Sequence, residues 1–149
     1  MKKIINKIKV SFLLFVLLFS FVPQTDAKNF LHVQDKIDTS RPGYPANHEI
    51  RFTITEPIPA GGKIRITPDP GQFFIQPGFD YTDLDFAISP DYNDGYVEQN
   101  LSIFATPFFM GANVSGASSS NPIFEFTLST SQGINTGTNV RIRLGSNAV

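Results

Sequence analysis

Apolar and polar residues alternate through most of the chain beyond residue 28. Over residues 49–55 the order is Glu-Ile-Arg-Phe-Thr-Ile-Thr. A period of two puts Ile50, Phe52 and Ile54 on a buried face and Glu49, Arg51 and Thr53 on a wet one. The prolines and glycines of residues 56–62 cannot continue a ladder and suit a tight loop. Alternation resumes over residues 63–67 with Ile64 and Ile66 inward, and the short connection predicts that these two strands are antiparallel neighbours. Over residues 81–88, Leu84, Phe86 and Ile88 face one way while Asp83 and Asp85 face a solvated side.

Further strands are expected near residues 29–37 and 97–105. Two more run over Phe124, Phe126 and Leu128 and over Val140, Ile142 and Leu144. Between them lie a Pro/Gly-rich crossover at 68–79 whose aromatics help close the core, an Asn/Asp/Gly turn at 89–95 and a surface loop at 116–122. No segment of residues 28–149 carries a 3.6-residue apolar stripe long enough for a helix. About seven or eight short strands with Gly/Pro turns predict an all-β fold, an antiparallel sandwich or barrel.

The first 27 residues read differently. Lys2, Lys3, Lys7 and Lys9 precede the apolar run 12–22, and Pro23 and the small-residue ending Thr25-Asp26-Ala27 follow it. This is the layout of a secretory signal peptide cleaved after Ala27. The apolar run is short against the roughly 20 residues that span a bilayer. The expected division is therefore a signal peptide, 1–27, and one β-sandwich domain, 28–149, secreted or at the cell surface, with no membrane span in the mature chain.

That division changes the charge. The whole chain has a net charge of −1, whereas removing the basic leader leaves 8 basic and 12 acidic side chains. No Lys or Arg lies between Arg65 and Arg141. Nucleic acid, which needs a basic footprint, is not an expected partner. The absence of Cys excludes disulfide bracing, Cys-based zinc sites, thiol nucleophiles and lipoprotein anchoring.

Candidate chemistry is sparse. The chain contains no Gly-x-Ser-x-Gly, His-Glu-x-x-His or Gly-x-Gly-x-x-Gly pattern, and its two histidines, His32 and His48, sit on strand positions. No catalytic residue is assigned, and the expectation is a protein that is not an enzyme. Asp83 and Asp85, about 7 Å apart on one strand, lack the facing geometry of a glycosidase pair. Asp80, Asp83, Asp85, Asp91, Asn93, Asp94 and Glu98 fall within 19 residues without a cation between them. This makes Asp80, Asp83, Asp85, Asp91 and Asp94 a candidate calcium region, the one possible cofactor, although Asx-rich turns use the same residues for backbone reasons. Tyr92, Tyr96, Phe108 and Phe109 are the candidate ligand-contacting aromatics, for sugar or peptide if exposed and for packing if buried. Asn100-Leu-Ser and Asn113-Val-Ser match the glycosylation triplet, a pattern common by chance.

The stretches 46–53 (Ala-Asn-His-Glu-Ile-Arg-Phe-Thr), 58–67 (Ile-Pro-Ala-Gly-Gly-Lys-Ile-Arg-Ile-Thr), 79–85 (Phe-Asp-Tyr-Thr-Asp-Leu-Asp) and 137–145 (Gly-Thr-Asn-Val-Arg-Ile-Arg-Leu-Gly) resemble immunoglobulin-like β-sandwich modules of bacterial secreted and cell-surface proteins. The resemblance implies a Greek-key sandwich and a non-catalytic structural or adhesive role. The implied partners are cell-surface or matrix components, or neighbouring modules. A calcium-dependent or carbohydrate-binding module is the alternative. No ligand-binding residue carries over, because the matching positions are strands and turns. Modules of this kind continue past such an ending, which leads to the expectation of a longer protein or of a partner strand completing the last sheet edge.

Overall fold

The computed structural model describes residues 30–39, 46–71, 74–116 and 121–145. The signal peptide expected at 1–27 lies outside the described residues, as does Phe73 of the crossover. The described chain is all-β, with nine strands and a single 3-10 turn, Tyr81–Asp83. The strands are β1 (Phe30–Ile37), β2 (His48–Ile54), β3 (Lys63–Ile66), β4 (Leu84–Ser89), β5 (Val97–Glu98), β6 (Leu101–Ser102), β7 (Met110–Ser115), β8 (Ile123–Thr127) and β9 (Asn139–Leu144). They form two sheets, β1-β2-β9-β4-β5 and β3-β8-β7-β6.

The predicted inward positions meet in the core between the sheets. Phe52, Ile54, Ile64, Leu84, Phe86, Phe124, Phe126, Leu128, Val140, Ile142 and Leu144 are all buried. Phe86 of β4 and Phe126 of β8 join the two sheets with ring centroids 5.3 Å apart. Such a pair adds about 0.5–1.5 kcal/mol beyond burial alone. From the crossover, Ile75 is buried and Phe79 meets the Phe124 ring edge-on at 6.1 Å.

Three expectations are corrected. First, β2 and β3 are not neighbours but lie in different sheets. The connecting loop does not turn back, because Ile58 is buried and exchanges two 2.8 Å backbone hydrogen bonds with Ile134, which carries the chain across to the second sheet. Second, the strand expected at 97–105 divides into β5 and β6, one at an edge of each sheet. The Gln99 amide bonds to the Phe86 carbonyl at 2.8 Å, and the chain crosses over directly afterwards. Third, β7, which was not anticipated, lies inside the second sheet and pairs parallel to β6, so that sheet is mixed. Its Met110 and Ala112 point into the core, and Gly111 lets a neighbouring loop lie against it: a Cβ there would sit 2.8 Å from the Ala105 backbone nitrogen.

The direction of the strands matters for function. β1 and β9 both run antiparallel to β2, so they run parallel to each other. Phe30, Ile54, Asn139 and Ser89 share one end of the five-stranded sheet, here the entry end, and Ile37, His48, Leu144 and Leu84 share the exit end. Bonds between Ile54 and residues 137–138 and between Ile58 and Ile134 lead on from the entry end, and those from Gly61 to Ser129 and from Leu128 to Gly62 then join the start of β3 to the end of β8.

Candidate functional site

The acidic residues of the candidate calcium region are dispersed, and the oxygens of Asp80, Asp83, Asp91 and Asp94 serve the backbone. Asp80 caps the 3-10 turn, accepting from the Thr82 amide at 2.8 Å, and Asp83 returns a bond to the Asp80 amide at 3.0 Å. The Thr82 hydroxyl and amide hold the Asp80 carboxyl below its ordinary range. Asp91 accepts from the Asn93 amide at 2.9 Å and Asp94 from the Gly95 amide at 2.7 Å, the geometry of Asx turns. Asp85 departs from the solvated face expected for it. It is buried on the outer side of β4, directly across the ladder from Arg143. Among the described residues no three acidic or histidine side chains converge as a metal site would require.

Tyr92 and Tyr96 are half-buried, and both hydroxyls are engaged. The 89–96 loop folds over the outer face of the five-stranded sheet, where the Tyr92 hydroxyl donates to the His32 carbonyl at 2.7 Å and the Tyr96 hydroxyl to the Tyr92 carbonyl at 2.8 Å. His32 occupies a β1 bulge with φ of +54°. The Tyr96 ring covers two guanidiniums, Arg51 at 5.4 Å and Arg141 at 4.7 Å. Glu49 binds Arg51 and Arg143, and Glu98 binds Arg141. Burial alone would raise the Glu49 carboxyl, but hydrogen bonds from Arg143 and Arg51 outweigh it and lower the pKa. These groups form a matched ladder across the sheet rather than an open ligand site.

At the exit end, His48 Nδ1 lies 2.9 and 3.1 Å from the two Asp35 carboxylate oxygens. The open cleft beside it, about 340 Å³, is lined by Lys36, Asp38, Asn47, Glu49 and Arg143 as well as His48. The imidazole–carboxylate pair ties β1 to β2, and no Ser, Thr or Cys is among those lining residues.

The entry end offers a different surface. Phe108 is 83% exposed and Phe109 42%, on the loop between β6 and β7. Their companions Ile103 and Phe104, 58% and 76% exposed, fall within the strand expected at 97–105 and so escape the sequence pattern. A signal was available: between Glu98 and Arg141 the only charged residue is Glu125. The loop is fixed from within. Thr106 Oγ1 accepts from the Phe108 and Phe109 amides, the Thr106 amide donates to the Phe109 carbonyl, and Ser131 Oγ donates to the Pro107 carbonyl at 2.6 Å.

No family model matches the chain, and neither a curated protein nor a solved structure matches it significantly.

Proposed function

We propose that the chain is a non-catalytic structural and adhesive module of an extracellular bacterial protein, exported by its basic, apolar leader and working through surface contact alongside neighbouring modules or surface components. The observation that carries this reading is the parallel course of β1 and β9, which brings the chain in at one end of the domain and out at the other. With the leader removed after Ala27, that arrangement suits a module that makes contact at its entry end and continues through its exit end. The 7-residue β2 between those strands sets a length of about 23 Å for the ladder. Polar side chains of the outer sheet face are matched with one another, while exposed apolar side chains stand on β1 and on the end loop that carries Ile103, Phe104, Phe108 and Phe109. The immunoglobulin-like Greek-key character belongs to this proposal and rests on the sequence resemblance.

The test is small-angle scattering of two copies of residues 28–145 joined in tandem. An end-to-end pair close to twice the length of one copy is expected. A tandem folded back side by side, no longer than one copy, contradicts the reading of opposite entry and exit ends.

A further inference from the structure

We propose that the entry-end loop carrying Ile103, Phe104, Phe108 and Phe109 inserts into the boundary region of a neutral lipid surface. The inference rests on the contact-module reading and names the surface contacted. Three observations carry it.

The first is electrostatic. The chain from Gln99 to Phe124 has no Asp, Glu, Lys, Arg or His, and neither does the stretch from Phe126 to Val140 that supplies the adjoining 129–132 turn. A surface recognised by charge, whether anionic lipid or an acidic or basic protein, would find no complement on this loop, and the exposed carboxylates of Glu56, Asp91 and Asp94 stand on other loops of the same end. A neutral bilayer asks for none.

The second is hydrogen bonding. A segment entering the headgroup–acyl boundary leaves water, so its polar groups need partners inside the protein. Over residues 106–109 most have them: the amides of Thr106, Phe108 and Phe109, the carbonyls of Thr106, Pro107 and Phe109, and the hydroxyls of Thr106 and Ser131 are bonded within the loop or to residues 130–131. The four apolar side chains offer no donor or acceptor. A sugar-binding site needs polar groups aimed outward at hydroxyls, whereas these point inward.

The third is size. At ordinary side-chain areas, the exposed parts of the four residues come to roughly 500 Å². A stable dimer needs about 800 Å² from each partner, so the loop falls short of an interface between two copies. An apolar patch of this extent is enough for interfacial anchoring.

The chain has no Trp, so Phe108→Trp gives a fluorophore whose emission reports this loop alone. The full chain carrying this change is titrated with phosphatidylcholine vesicles. A second variant, Phe74→Trp, places the reporter on the exposed crossover and controls for binding through the leader. The expected result is a shift to shorter wavelength for the Phe108→Trp protein only, insensitive to salt between about 0.05 and 0.5 M. Adding Phe104→Ser should weaken partitioning about tenfold. No shift, equal shifts for both reporters, a shift that requires anionic lipid, or a concentration-dependent shift without vesicles overturns the proposal. The last of these would identify a second copy as the occupant. None of these results bears on the tandem scattering measurement, which decides the contact-module reading separately.

Discussion

Arg51 and Arg141 stand directly opposite one another on β2 and β9, and the Tyr96 ring lies over both guanidiniums. Two like charges at facing positions destabilise a ladder unless something answers them. The ring face, the Glu49 carboxylate on Arg51 and the Glu98 carboxylate on Arg141 do so. The same Tyr96 anchors the 89–96 loop, so sheet electrostatics and loop position depend on one side chain. Tyr96→Ala is expected to cost about 1–3 kcal/mol in urea unfolding, from the lost ring contacts and packing. Tyr96→Phe keeps the ring over the arginines and loses only the hydroxyl bond, so it should cost about 1 kcal/mol.

Glu49 makes stability depend on acid. Its folded pKa lies below the ordinary 4.5, so its contribution is fully present above that value and disappears as the pH falls through the lower folded value. Chemical unfolding between pH 6 and about 3 should show this loss. In Glu49→Gln the decline over that acid window should be shallower.

Asn139 is buried, accepts from the Thr53 hydroxyl at 2.7 Å and donates to the Pro90 carbonyl at 3.1 Å. It joins β2, β9 and the turn after β4. Asn139→Ala leaves those partners without their bond, and a loss of about 2–3 kcal/mol is expected in equilibrium unfolding.

Calcium should not stabilise this fold. Asp80, Asp83, Asp91 and Asp94 bind backbone amides at separate turns, and Glu98 pairs with Arg141. Adding millimolar calcium, the range of weak extracellular sites, should leave the melting temperature unchanged. A rise that saturates with calcium would reinstate a metal site.

The faces of the long strands were legible because a period of two leaves no ambiguity at Phe52, Ile54, Phe86, Phe126 or Ile142, all of which reach the core. Sheet membership was not. Pro57 and Pro59 announce a loop, but only the buried Ile58 and its exchange of bonds with Ile134 send β3 to the other sheet. β7 was hidden by Gly111, read as an interruption although Met110, Ala112 and Val114 alternate around it. The need for glycine there is a close approach by Ala105, a tertiary fact that local pattern does not encode. The candidate aromatics divided for a similar reason. Tyr92 and Tyr96 are drawn onto the sheet by distant arginines and the His32 carbonyl, while Phe108 and Phe109 are held outward by local bonds to Thr106.

The central claim is that the chain enters at one end of the domain and leaves at the other, so that contact made at the entry end is carried through to the exit end. Pulling on single molecules through residues 30 and 145 loads the β1–β2 and β2–β9 ladders along their strands, so many hydrogen bonds resist together. One cooperative unfolding event is expected, at a force clearly above that needed when the chain is pulled through residues 47 and 145, which lie together at the exit end so that β2 and β9 unzip one bond at a time. Equal forces for the two directions, or stepwise peeling of β1 at low force, would contradict it.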